Sequence, residues 1–315
     1  MNFIAIFLQT LEITLPVFAM VFIGIGLKRI GWIDSAFITT ASMLVFKATL
    51  PVLIFLSIIR ADLEATLDPA LMIFFALATV VMFLFSWLWA GWRVPKDDRG
   101  IYVQGAFRGN CGVVGLALAA GMYGDYGLSA GSLLLGVVIL TYNALSVIVL
   151  TAYQPGRRAD WQGMGKHIAR NPLILSVLIA IPFAWAGIEL PDWLMTSGDY
   201  FASLTLPLAL ICIGGTLSIS SLREDRGTAL GASLMKMITL PILATVAAWL
   251  AGFSGPRLGL LFVFFASPTA AASFVMVKAM GGNAKLAANI IAITTLLASV
   301  TITGGVFLLR LGEVI

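Results

Sequence analysis

Ten apolar stretches follow one another along this chain with little between them, at about 8–27, 36–59, 69–91, 100–123, 128–153, 171–188, 199–220, 228–252, 258–280 and 286–311. Each approaches the roughly 20 residues a helix needs to cross the hydrocarbon core of a bilayer. Hydrophobic residues make up 60% of the 315 and charged residues only 11%, which leaves no sizeable soluble domain. The runs are continuously apolar rather than alternating. Helices are therefore predicted instead of barrel strands, because a helix satisfies its own backbone in lipid.

The two halves repeat each other at residues that shape backbones. Pro16, Gly31 and Pro51 recur 156 positions later as Pro172, Gly187 and Pro207. Further on the offset becomes 158: Met122, Gly124 and Leu128 return as Met280, Gly282 and Leu286, and Asn110 is matched by Pro268. Five crossings per copy is an odd number, so the second copy must enter the membrane upside down. The reading is an all-α membrane protein of two inverted five-helix repeats, 1–153 and 171–315, joined by a segment at 154–170. That architecture is common among secondary transporters.

Ten crossings gather Lys28, Arg29, Arg93, Lys96, Arg99, Arg157, Arg158, Lys166, Arg170, Arg223, Arg226 and Lys285 on one side, and only Arg60, Arg257 and Arg310 on the other. The positive-inside rule makes the crowded side cytoplasmic and puts both termini in the periplasm or exterior. Lys28 and Arg29 follow the first apolar run instead of preceding it, so it reads as a retained helix and not a cleaved signal. Pro155, Gly156, Arg157, Arg158 and Trp161 make the joining segment basic and weakly amphipathic, fit for a cytoplasmic linker with a surface helix. Trp32, Trp87, Trp89, Trp92, Trp193 and Trp249 fall near span ends, as interfacial anchors do.

The fourth stretch contains Arg108-Gly109-Asn110-Cys111-Gly112. Each glycine lowers helix propensity by about 1 kcal/mol relative to alanine, and Asn110 offers groups for freed backbone or for a ligand. The matching part of the ninth is Ser267-Pro268-Thr269-Ala270, where the proline removes a backbone donor. One such break is as well explained by helix packing. A matched pair favours a midplane site, with half-helix N-termini that suit an anion. The candidate lining is Arg108, Gly109, Asn110, Cys111, Ser267, Pro268 and Thr269, with Ser273, Asn143 and Asn289 as further polar neighbours.

Residues 109–117, Gly-Asn-Cys-Gly-Val-Val-Gly-Leu-Ala, followed by Met122-Tyr123-Gly124, align without gaps to a motif close to Pro-Asn-Thr-Leu-Val-Met-Gly-Ile-Pro and Met-Tyr-Gly in plant auxin carriers. Ser267-Pro268-Thr269-Ala270 and Leu50-Pro51 resemble segments of bacterial relatives. Over nearly its whole length the chain thus resembles the auxin efflux carrier family. The resemblance implies a fold like that of sodium/proton antiporters and bile-acid symporters. Helices one, two, six and seven would form a scaffold, often dimeric, and helices three to five and eight to ten a moving transport unit. It also implies carboxylate binding at the crossover, with Asn110 helping to hold the substrate. Gly109 and Ala117 replace the two prolines of the plant motif, so geometry is expected to carry over better than specificity.

Lys47, Arg108, Lys236 and Lys278 fall within predicted crossings, where acidic residues are nearly absent. Arg108 is expected either to pair with a carboxylate or to bond backbone carbonyls. Lys236 and Lys278 are expected to snorkel to the cytoplasmic boundary, and Lys47 is either structural or cavity-facing. Gly214-Gly215 suits close helix approach at a scaffold or dimer interface. No Asp pair occurs in helices four, five, nine or ten, which disfavours proton coupling through paired carboxylates. One histidine, His167, and two separated cysteines, Cys111 and Cys212, assemble no metal or catalytic set, so no cofactor and no enzyme is expected. The function read from the chain is a carrier for a small organic anion, with the lipid bilayer as surroundings and no nucleic-acid partner. A ligand sensor built on the same fold is the alternative.

Overall fold

The computed structural model of the protein describes residues 3–153, 161–217 and 226–315. Among these the elements in chain order are α1 (Phe3–Arg29), α2 (Ser35–Ile59), α3 (Pro69–Arg93), α4 (Arg99–Phe107), α5 (Cys111–Ala152), α6 (Trp161–Ala169), α7 (Pro172–Trp185), α8 (Asp192–Thr216), α9 (Gly227–Leu250), α10 (Gly255–Phe265), α11 (Ala272–Ala279) and α12 (Ala284–Leu311). No strand occurs among the described residues, and seven of the helices are long and apolar enough to cross a membrane.

Polar side chains outside the apolar runs set where helices begin. Asp34, Asp68, Asn171 and Asn283 each accept a hydrogen bond from a first-turn amide, of Phe37, Leu71, Leu173 and Leu286 respectively. Pro69 and Pro172 occupy first-turn positions, where a missing N–H costs nothing. Past the ends of α1 and α7, the sequence-matched Gly31 and Gly187 both take positive φ, at 80° and 61°. Only glycine turns the chain there without strain.

Four predicted spans differ from the observed helices. The seventh, expected at 199–220, begins seven residues earlier, at Asp192 behind Pro191, and its helix ends at Thr216; positions 218–220 lie outside the described residues. The sixth is shorter than expected, 14 residues in α7. The fourth and fifth run together as α5, which doubles back at Gly124 (φ 56°, ψ −133°). Gly127 has no Cβ to strike the Ala119 carbonyl, so the returning arm lies close against the first. Of the linker, α6 is a helix as expected, while Pro155, Gly156, Arg157 and Arg158 lie outside the described residues, as does Arg223.

Two five-residue π-helical turns, Val45–Thr49 in α2 and Met235–Thr239 in α9, each lead into Leu-Pro. Pro51 and Pro241 cannot donate to the carbonyls four residues earlier, those of Lys47 and Met237, and a widened turn is the ordinary accommodation. Lys47 is exposed, whereas Lys236 is fully enclosed.

The closest helix pairing is α1 against α8. A Cβ on Gly24 would collide with the Ile211 carbonyl, and one on Gly214 with that of Val21. Gly215 faces Ile38 of α2. The small-residue pair of α8 therefore packs within the chain rather than between two copies, since small residues let backbones approach where helix packing must replace hydrophobic drive. Large apolar side chains cover the outer faces, as lipid requires, Leu77, Val81 and Leu88 of α3 among them. Trp32, Trp92, Trp193 and Trp249 are exposed at helix ends, while Trp87 is half-buried and donates to the Tyr153 hydroxyl at 2.7 Å.

Candidate functional site

Both predicted breaks are present, and they meet. The segment between α4 and α5 (Arg108, Gly109, Asn110) lies antiparallel to that between α10 and α11, with Gly109 opposite Thr269 as an isolated β-bridge. The Asn110 amide donates to the Pro268 carbonyl at 2.7 Å, and the Ala270 amide to that of Arg108 at 3.1 Å. Thr269 adds a hydroxyl bond to the Gly105 carbonyl (2.7 Å), and its own amide donates to Thr294 Oγ1 of α12 (3.1 Å). Unwound backbone inside apolar protein must find such partners or lose several kcal/mol per group.

Glycine at 109 fits a tight space. A Cβ there would lie 3.1 Å from Lys236 Nζ and 3.3 Å from the Ser267 carbonyl oxygen. Two half-helices, α4 and α10, end at the crossing, and two others, α5 and α11, start from it. Their first amides have no intrahelical acceptor, so the positive ends of two helix dipoles face the same region. Asn110 caps α5 through its carbonyl, which accepts from the amides of Val113, Val114 and Gly115.

The predicted site residues divide by accessibility. Arg108, Gly109, Cys111, Ser267, Pro268 and Thr269 are buried, and of the seven only Asn110 is accessible. Ser267 spends its hydroxyl on the Val263 carbonyl (2.7 Å), and the Cys111 thiol donates to that of Phe264 (3.3 Å). The Asn110 carboxamide makes no hydrogen bond to protein among the described residues. Half-buried Gly112 and Val113 and exposed Ala271 and Ala272 complete the open face at the two half-helix starts.

Arg108 is held by protein groups on two sides. One guanidinium nitrogen donates to Ser146 Oγ (3.0 Å), the Tyr142 carbonyl (3.3 Å) and Met276 Sδ (3.2 Å), and the other to Asn143 Oδ1 (3.0 Å). It thus bonds neutral groups of α5 and α11, and its Nε, like Gln104 Oε1 and Ser273 Oγ, is buried without a hydrogen-bond partner among the described residues. Asn143, expected to line the cavity, holds Arg108 instead. Asn289 is buried in α12.

Lys236 corrects an expectation. Instead of snorkelling it is 1% exposed, and its ammonium donates to the carbonyls of Phe265 (3.0 Å) and Phe107 (3.4 Å), the last residues of α10 and α4. Lys236 stands one residue further from its proline than Lys47 does, which places it on a different face of its helix. The signal available in sequence was the register of each lysine: Lys47 lies four residues before Pro51, whereas Lys236 lies five before Pro241. Lys278, by contrast, is exposed at the end of α11, as snorkelling requires. Phe75, Phe83, Phe107, Tyr142, Phe264 and Phe265 pack ring to ring around the crossing, with Phe75 and Phe265 stacked at 4.8 Å. This shell keeps the local dielectric low, which strengthens every charge inside it.

A cavity of about 160 Å³ lies apart from the crossover, at the end of α2, lined in part by Ser57, Arg60, Asp125, Ser129 and Asp199. Arg60 donates to both Asp199 oxygens at 2.8 Å, and that carboxylate raises the arginine's already high pKa. Both side chains are nearly half-exposed. Arg60→Ala is accordingly expected to lower stability by no more than about 1 kcal/mol, and a thermal melt showing a larger loss would give this pair a greater role.

Proline shares the upkeep of the break with the pairing across it. Pro268→Ala restores a donor worth up to about 3 kcal/mol to a continuous helix. The bonds at Asn110, Thr269 and Ala270, at about 1 kcal/mol each, oppose healing. The variant is expected to keep measurable activity, reduced less than about tenfold; complete loss would show that proline alone keeps the segment open.

A sequence profile of the family described as "Membrane transport protein" matches residues 10–160 and again 161–305. The chain belongs to the auxin efflux carrier family. A Methanothermobacter thermautotrophicus protein named "Uncharacterized transporter" is 24% identical over 309 residues, 94% of this chain and 97% of its own. A Rhizobium meliloti protein named "Putative malonate transporter" is 26% identical over 316 residues, with 95% and 96% covered. A Methanocaldococcus jannaschii "Uncharacterized transporter" is 25% identical over 299 residues, with 90% and 94% covered. Family membership makes the chain a multi-pass membrane transport protein, in keeping with its seven long apolar helices.

Proposed function

We propose that this auxin efflux carrier family member is a secondary transporter for a small organic anion, a carboxylate, bound on the open face of the crossover beside Asn110. The observation that carries the reading is electrostatic. Arg108 is buried beside the paired breaks, bonded only to neutral groups, and has no carboxylate partner among the described residues. A buried charge without a counter-charge costs several kcal/mol even after relaxation. Charged donors and two half-helix N-termini lower that cost most when an anion arrives. The malonate named for the Rhizobium meliloti relative is a carboxylate of this kind.

The transport unit in this reading comprises helices three to five and eight to ten, moving past a scaffold of helices one, two, six and seven as an elevator. Ten crossings in two inverted repeats, 1–153 and 171–315, about a linker at 154–170 would place both termini outside. The two-part profile match and the like conformations of Gly31 and Gly187 support the duplication. The scaffold also offers a face for a homodimer. A membrane potential acting on one charge supplies about 2.3 kcal/mol per 100 mV, enough to drive an anion outward without a coupled ion.

The test is flux of labelled malonate and related carboxylates in proteoliposomes with an imposed potential. Saturable, potential-sensitive uptake supports the carrier. Tight binding with no flux would favour a sensor, and neither binding nor flux across a carboxylate panel would remove the proposed substrate class.

A further inference from the structure

Lys236 does something that binding an anion does not require. Its ammonium sits where two helices end head-on: α4 at Phe107 and α10 at Phe265. Helix C-termini carry unsatisfied carbonyls and about half a negative charge each. Two such ends converging in an apolar, water-poor interior make a site for a monovalent cation, built from carbonyl oxygens. Half-helix ends and unwound carbonyls serve this purpose for dissolved sodium in other carriers. Here a tethered ammonium already fills the place, 1% exposed, and a Cβ at position 109 would lie 3.1 Å from it.

We infer that Lys236 is a resident cation: it neutralises the two converging C-termini permanently, so the crossover is assembled without any inorganic cation, and deleting the side chain creates a monovalent-cation site at the Phe107 and Phe265 carbonyls. The inference concerns how the crossover is held and stands whether or not the guest on its other face is a carboxylate. Lys236 is thus a positioning residue. It acts through the two backbone ends it ties together.

The experiment compares melting temperatures of the full-length protein and Lys236→Ala, purified in detergent, with choline, sodium or n-propylammonium chloride at equal ionic strength and no substrate. Propylammonium reproduces the atoms the substitution removes. Wild type is expected to melt at one temperature in all three salts. Lys236→Ala is expected to melt lower in choline and to recover saturably, by about 3 °C or more, in sodium or propylammonium. A variant indifferent to both cations, or wild type stabilised by sodium as much as the variant, overturns the inference. Lys236→Met covers the case in which the alanine variant does not fold. Its unbranched stem fills the space without charge, so it should melt lower than wild type and ignore sodium; wild-type stability in Lys236→Met also overturns the inference.

Discussion

Arg108→Gln is expected to reduce carboxylate affinity by about 100-fold while the protein still folds. Glutamine can keep one bond to the α5 groups that now hold the guanidinium, Ser146 Oγ and Asn143 Oδ1, so the local structure is largely retained. What disappears is a positive charge inside an aromatic shell, where hydrogen bonds and fields to an ionised guest are worth about 1.5–3 kcal/mol. Two further measurements separate field from scaffold. Arg108→Lys keeps the charge but not the planar fork that reaches Tyr142, Asn143 and Ser146 together, and it should recover part of the affinity at some cost in thermal stability. If Arg108→Gln binds carboxylates as wild type does, Arg108 serves only to tie α4 to α5 and the electrostatic argument rests on the helix N-termini alone.

Asn110→Ala should cut affinity and flux about tenfold or more, with the melting temperature unchanged to within a degree or so. The asymmetry between function and stability is what the geometry demands. The Asn110 backbone bonds, to Pro268 and to the amides of Val113, Val114 and Gly115, survive the substitution. Its side chain makes no hydrogen bond to protein among the described residues and is the accessible polar group of the seven predicted site residues. A carboxamide hydrogen bond to a charged ligand accounts for about 1.5–3 kcal/mol. Isothermal titration or flux alongside a thermal melt checks both halves. A variant with normal flux would move the guest elsewhere on the crossover, whereas one that melts much lower would make Asn110 a structural cap.

The breaks were legible because they rest on local chemistry. Gly109, Gly112 and Pro268 disfavour helix wherever they are placed, and the offset linking Asn110 to Pro268 brought the two sites together on paper. Their pairing as antiparallel backbone is what the structure adds. Residue roles were less legible. Ser267, Thr269 and Cys111 have hydroxyl or thiol groups suited to a ligand, yet each is satisfied by a carbonyl inside the protein, the usual fate of small polar side chains in membrane helices. The seventh span was misplaced because hydropathy responds to apolar content, while the helix starts where Pro191 allows it.

Composition and the spacing of glycines and prolines determined on their own that this is a helical membrane protein, where its chain is interrupted, and which family it resembles. Those properties depend on local propensity and on transfer from water to lipid, both read from residues one segment at a time. Only the tertiary structure decided that Lys236 points inward to the ends of α4 and α10, that Arg108 is held by α5 and α11, and that Asn110 alone among the predicted site residues is left open. A long flexible cation in a membrane helix has two low-cost ends, the interface and a ring of carbonyls. Which is nearer depends on how one helix is rotated against another, a property of the packed whole.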